Sequence, residues 1–145
     1  MKKIFFSLFL ISSCTYLFAQ NGRRHDDTPK PVQEAFNKEH PNAGNAHWAQ
    51  TKGHWHATYN NNNRKVDDYY DNKGSRLYTR TAWDRKSLPG DYDKKIRSRY
   101  HTTNYRVTKI ERPNNPSLFE LILNIGGKNK TVYTDENGVE VKFKL

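Results

Sequence analysis

Shifting the 145-residue chain by 64 positions lays one half on the other without a gap. Val32 and Phe36 fall on Ile96 and Tyr100, two pairs spaced i,i+4 as one helix face requires. Trp55, Ala57 and Tyr59 fall on Phe119, Leu121 and Leu123, both triplets at the period of two that a strand imposes. Tyr69 falls on Tyr133, Asp71 on Asp135 and Gly74 on Gly138, so Asp71-Asn72-Lys73-Gly74 and Asp135-Glu136-Asn137-Gly138 are equivalent polar turns. An alternating segment follows each turn: Leu77 and Thr79 in one, Val139, Val141 and Phe143 in the other. Chance matches do not hold one offset through a helix face, two strands and a turn. The pattern reads as an internal duplication.

Each half has the same order of elements. Pro29 or Pro31, and Pro89 in the second half, sit where the first turn of a helix tolerates proline. The helices are expected over roughly 30–39 and 90–101, the first stopped by Pro41 and the second by Thr102-Thr103-Asn104. Four short strands follow each helix, near 45–51, 54–60, 64–71 and 75–81, then 105–112, 117–125, 128–134 and 138–144. Lys52-Gly53, Asn60 to Asn63 and Gly126-Gly127 are hairpin connections, so neighbouring strands run antiparallel. The expected fold class is α+β: tandem α-β-β-β-β modules, each one helix packed on a four-stranded antiparallel sheet. The modules occupy 29–82 and 89–145, joined by a linker over 83–88 and preceded by a disordered lead-in over 20–28. The pattern leaves open whether the eight strands make one sheet.

The first nineteen residues read as a signal peptide. Lys2 and Lys3 precede the apolar run Ile4 to Ile11, which is too short to span a membrane. Two cleavage points compete. Leu17-Phe18-Ala19-Gln20 suits a standard signal peptidase, giving a soluble periplasmic or secreted protein. Ile11-Ser12-Ser13-Cys14 suits a lipobox, in which Cys14 carries a lipid anchor. Apolar residues continue past Cys14 where a tether would be polar, which favours the soluble product. Cutting at Ala19 removes the one cysteine, and with it any disulfide, thiol nucleophile or Cys-type metal site. Loss of Lys2 and Lys3 takes the formal charge from +10 to +8. That balance suits anionic lipid or lipopolysaccharide, but the charges are scattered and no nucleic-acid arm is visible.

A helix on a four-stranded sheet covers one face and leaves the other open. Trp55, Ala57 and Tyr59 match the apolar triplet of the second half and take the covered face. His54, His56 and Thr58 therefore take the open one. A two-residue turn at Lys52-Gly53 places Trp48 opposite Ala57 and His47 opposite Thr58. Directly opposed residues share a face, so Trp48 goes to the core and His47 joins the other histidines. In the second half Leu118, Glu120 and Ile122 replace His54, His56 and Thr58, so the histidine face belongs to the first half alone.

The proline-led helix ending Ala35-Phe36-Asn37-Lys38-Glu39-His40-Pro41-Asn42-Ala43, then Trp48, a Gly-aromatic strand and an Asp-x-x-Gly hairpin, resembles the PepSY-like family, also called beta-lactamase-inhibitor-like (BLIP-like). The second half fits through Leu88-Pro89, Ile96, Tyr100, Val107, Ile110, the strand Phe119 to Ile125 and Asp135 to Gly138. The resemblance covers nearly all of residues 29–145. It implies tandem modules in an exported protein and a fold more than an activity. The chain departs from the pattern at Asn60 to Asn63, at Asp67 and Asp68 where a more apolar strand is usual, and at Arg112, which stands where the first half has Trp48.

No catalytic constellation emerges. Asp67 and Asp68 point to opposite sides of a strand, Asp71 and Asp135 serve their own turns, and the Asp-to-Gly loops are too short for calcium. There is no Gly-x-Ser-x-Gly motif and no phosphate-cradling loop. His47, His54 and His56 lack the carboxylate and supporting partners a metal site wants, so neither a metal nor another cofactor is expected. Of the three Trp, nine Tyr and seven Phe, the expected core takes Phe36, Trp48, Trp55, Tyr59, Tyr100, Phe119 and Phe143. Tyr69 and Tyr70 are adjacent, so one faces out, and Tyr78 has the parity opposite to Leu77. The reading is a non-enzymatic binding module that meets an exported protein partner through His47, His54, His56, Tyr70 and Tyr78. The alternative is an envelope- or polyanion-associated protein held by charge.

Overall fold

A computed structural model describes residues 27–143. The signal segment and both cleavage points lie outside the described residues. Lys30–Glu39 forms α1, capped by Pro29 with Pro31 in the first turn, and it buries Val32 and Phe36 as the i,i+4 stripe demands. His40 ends it, its backbone N–H donating to the Phe36 carbonyl at 2.8 Å. Thr28, expected in a disordered lead-in, is instead 4 % exposed, and its carbonyl accepts from Gln33 Nε2 at 2.7 Å.

Four strands follow: β1 (His47–Thr51), β2 (His54–Asn61), β3 (Arg64–Tyr70) and β4 (Arg76–Trp83). The second half supplies α2 (Tyr92–Tyr100), β5 (Tyr105–Arg112), β6 (Asn115–Ile125) and β7 (Lys128–Thr134). All strands belong to one antiparallel sheet in sequence order, β1 to β7. The join is the pairing of β4 with β5, with Trp83 opposite Val107. The expected linker 83–88 therefore starts inside β4, and most of it is a short 3-10 turn, Arg85–Ser87, capped by the Asp84 side chain. Arg85 then ties this turn to α2 through Asp93 at 2.7 Å.

Turn chemistry fixes the register. Lys52 and Gly53 have φ of 50° and 81°, and Asn62 and Asn63 have 49° and 61°. Two successive left-handed residues make the hairpin turn whose twist matches the strands, and asparagine tolerates that conformation. The asparagine run is thus the end of β2, Asn60 and Asn61, followed by a tight turn at Asn62-Asn63.

The expected eighth strand is the main correction. After β7 the chain makes a single bridge, Thr134 to Glu140, and adds no further strand among the described residues. Val141 still donates its N–H to the Tyr133 carbonyl at 2.8 Å, and the Val141 and Phe143 side chains pack with Tyr78, Ile110, Leu118 and Tyr133 on the face away from the helices. Phe143, expected in the helix-side core, lies on the other side.

Both helices pack on one face of the sheet. Register carries Val66 to Thr81, Thr81 to Lys109 and Lys109 to Phe119, so the core under α1 and the core under α2 are side by side. The two Asp-to-Gly turns are built alike. The Asp71 carboxylate accepts from the N–H groups of Lys73 and Ser75 at 2.8 and 2.9 Å, that of Asp135 from Asn137 and Val139 at 2.9 and 2.8 Å. Gly74 has φ of 85°, and a Cβ there would meet the Pro31 carbonyl oxygen at 2.4 Å. The turn is pressed against the start of α1, which only glycine permits.

One exchange between the halves is informative. Thr28 and Tyr70 are both buried, and the positions 64 further on hold Tyr92 and Thr134, also buried. Large and small have changed places while the pair of types is kept, and Tyr92 and Thr134 are hydrogen-bonded through their hydroxyls.

Candidate functional site

The helix-free face of the first half carries the histidines as register requires. His47 lies opposite Thr58, Trp48 opposite Ala57, and Ala49 opposite His56. His56 is opposite Tyr69 in β3, and Tyr69 is opposite Tyr78 in β4. The rings form a stacked row: His56 on Tyr69 at 4.5 Å and 8°, Tyr69 on Tyr78 at 4.4 Å and 23°.

The outer end of this row is pinned. Asp67 Oδ1 accepts from Thr58 Oγ1 at 2.8 Å and lies 3.1 Å from His56 Nε2. A carboxylate only accepts, so Nε2 is the protonated ring nitrogen. Burial pushes the Asp67 carboxyl up, but the hydrogen bonds from His56 and Thr58 outweigh it and hold it below the usual range. His54 and His56 are half-buried and His47 is exposed.

Tyr70 does not belong to this face. It lies opposite Trp55, has no exposed surface, and its hydroxyl donates to Glu39 Oε2 at 3.2 Å on the helix side. Tyr69 takes the outward place. The tight turn at Asn62-Asn63 sets that parity, and counting the register through it finds Tyr69 from sequence. Tyr78 faces as expected but is 7 % exposed, because Phe143 packs on it edge-on at 6.0 Å. Burial pushes its hydroxyl up to about 12. A bulge between Tyr69 and Tyr70 lets Tyr70 pair with Arg76, which leaves Leu77 as the extra residue.

The helix-free face of the second half is closed. Leu118 and Glu120 are buried, with Glu120 bonded to Arg80 and accepting from Tyr133 at 3.1 Å. Phe143 covers Tyr133 at 5.2 Å.

The other face holds a feature that the sequence pattern marked only as a departure. Between the two helix-covered cores runs a cleft of about 590 Å³, floored by Val66, Thr79 and Thr81. Tyr59 and His40 wall one side, Trp83 the other. Beneath it lies Asp68, fully buried, accepting from Tyr59 Oη at 2.9 Å, from Thr79 and from His40 Nε2 at 2.8 Å. Tyr59 Oη also lies 3.2 Å from His40 Nδ1 and 3.3 Å from Nε2, so the imidazole packs against the hydroxyl as well as against Asp68. Burial first, and then the charge of Asp68, raises the Tyr59 hydroxyl well above its usual range. The network ties the end of α1 to β2, β3 and β4 beside the cleft. The positions 64 beyond His40, Tyr59 and Asp68 carry Asn104, Leu123 and Val132, so the second half has no counterpart.

Among the described residues no group of three or more His, Cys, Asp or Glu side chains is placed to hold a metal ion. No helix among them is long and apolar enough to cross a membrane.

No protein-family model matches the chain. No curated protein matches it by sequence. Solved structures do. A Bacteroides eggerthii protein named, provisionally, as periplasmic superposes with a TM-score of 0.74 at 16 % identity, over 79 % of this chain and 86 % of that one. A DUF2874 family protein of Bacteroides ovatus gives 0.73 at 21 %, over 80 % and 86 %. A Bacteroides fragilis protein described as BLIP-like gives 0.68 at 26 %, over 80 % and 85 %. The chain shares the fold of these proteins.

Proposed function

We propose that this chain is an exported, non-enzymatic binding protein. It docks a protein partner on the helix-free face of the first half, through His47, His54, His56 and Tyr69. The observation that carries the reading is the pinned row of rings, His56 on Tyr69 on Tyr78, with Asp67 and Thr58 holding its outer end. Rings already fixed in place lose little freedom on docking, and tyrosine is a favoured anchor at interfaces. Tyr70 drops out of the proposed contacts, and Tyr78 serves as the buried support of the row.

Export is supported by the signal-like N-terminus and by the periplasmic name given to the Bacteroides eggerthii protein. A cut at Ala19 yields a periplasmic or secreted protein, and lipidation at Cys14 is the alternative. Binding of a protein is supported by the likeness to a BLIP-like protein. We read the two halves as diverged copies of one PepSY-like module, supported by the shared offset and by the matching carboxylate bonds of the Asp71 and Asp135 turns.

The test is co-purification of the exported protein with its partner from envelope extracts. The combined substitutions H47A, H54A, H56A and Y69A should abolish capture while leaving the melting temperature within a few degrees. Capture that survives all four removes the assignment.

A second reading is adhesion to an anionic envelope surface, supported by the +8 charge of the processed chain and by Lys94, Lys95, Arg97 and Arg99 on α2. Binding to vesicles of anionic lipid would then fall steeply with salt, whereas the ring surface would be far less sensitive. Three of these four cations are already engaged, by Asp91, Asp93 and the Gly138 carbonyl, which favours the first reading.

A further inference from the structure

We propose that the cleft between the two helix-covered cores binds an extended acidic peptide segment, with a carboxylate held at each end. This site is on the face of the sheet opposite His47, His54 and His56 and is independent of those three. Its ends are cationic. Arg64 stacks over the Trp83 ring at 5.1 Å and makes no ion pair among the described residues. Arg76 is held only loosely, 3.4 Å from Glu39, and its Nε is buried without a hydrogen-bond partner. A guanidinium with unused donors is a ready fork for a carboxylate.

The spacing selects the ligand. Arg64 lies at the Trp83 end of the cleft and Arg76 starts β4, so seven residues, roughly 23 Å of strand, separate the two ends. Both side chains line the same cleft, which shortens that span. Two acidic side chains four apart on an extended segment are separated by about 13 Å and suit it. Between the ends, the floor of Val66, Thr79 and Thr81 and the Tyr59 ring face the intervening residues. Glu111 at the rim is neutralised by Lys109 at 2.8 Å, and Lys109 also lies 5.0 Å from the Trp83 ring. The cations at the ends therefore face an incoming acid without competition from Glu111.

The test is titration of the purified full chain with acetyl-Glu-Ala-Ala-Ala-Glu-amide, following the Trp83 indole N–H by NMR. Saturable binding is expected, at least roughly tenfold tighter than for the same peptide with both Glu replaced by Gln. Arg64→Gln should weaken binding about tenfold, and Arg64 is suited to this because no ion pair of the fold depends on it. Arg76→Gln should do the same, while Lys128→Gln, an equal charge change at the exposed start of β7, should leave binding unaltered. The H47A/H54A/H56A/Y69A variant should bind the peptide normally, which separates this inference from the docking face. No saturable binding, equal binding by Arg64→Gln, or equal loss in Lys128→Gln overturns the site. Glutarate binding as tightly as the peptide overturns the peptide assignment.

Discussion

Nε2 of His40 sits 2.8 Å from Oδ2 of Asp68, a carboxylate with no exposed surface. The pair joins the last turn of α1 to the middle of β3. It occupies a position that an apolar residue, Val132, fills in the second half. Removing one member of a buried hydrogen-bonded network leaves the others unsatisfied, and here three donors converge on Asp68. Asp68→Ala should cost about 3 kcal/mol of stability, measured by urea unfolding. Asp68→Val should also destabilise, although valine is native at the equivalent place, because His40, Tyr59 and Thr79 would remain. A loss below about 1 kcal/mol for either variant would mean that the network is not structural.

Gly74→Ala tests the seating of the first Asp-to-Gly turn. The left-handed backbone and the 2.4 Å approach to the Pro31 carbonyl act together. Strain of this kind costs about 1–3 kcal/mol, and the contact is with rigid backbone. Gly138→Ala has the same backbone problem, but its nearest neighbour is a Tyr92 ring carbon at 3.6 Å. Thermal melts should rank Gly74→Ala as the more damaging of the two.

Phe143→Ala tests whether the C-terminal segment closes the helix-free face. Loss of a half-buried ring should cost about 1–2 kcal/mol. It should also expose Tyr78, whose hydroxyl stands up at about 12 because of burial, and bring its ionisation back toward the ordinary value near 10. Ultraviolet titration of tyrosinate in the variant and the parent would read this directly. An unchanged alkaline titration curve would mean that Phe143 does not shield the ring.

Asp67 supplies a dependence on acid. Its carboxyl lies below the ordinary value in the folded chain, so its contribution is complete above the unfolded-state value near 3.9. That contribution disappears as pH falls through the lower folded-state value. Asp67→Asn should therefore show a shallower acid-unfolding limb than the parent, with little difference in slope at neutral pH. Circular dichroism across acid pH checks it.

Much of the fold was legible because its signals are local. Period-two triplets, i,i+4 pairs and left-handed turn residues depend on neighbours within a few positions, and β5 and β7 have the expected bounds. The register of Trp48 and His47 followed from the Lys52-Gly53 turn and holds. What failed was non-local. Whether 138–144 adds a strand depends on competition between pairing with β7 and packing on Tyr78, and the alternation of Val139, Val141 and Phe143 suits either. The parity of Tyr69 and Tyr70 depends on the turn at Asn62-Asn63, and the adjacent pair alone does not say which ring faces out. The cleft was visible only as an anomaly: Asp68 in a strand that should be apolar, with its partners His40 and Tyr59 nineteen positions from one another.

The sheet order carries a kinetic consequence. Every strand pairs with its neighbours in sequence, from β1 to β7, and no crossover is needed. Each hairpin closes a short loop, so the entropy of closure is met in small steps rather than one large one. A meander of this kind has low contact order for a β-rich chain and is expected to fold quickly once released. The first half can zip up on α1 without waiting for β7, and the late arrival of Phe143 then seals the face that the first strands left open.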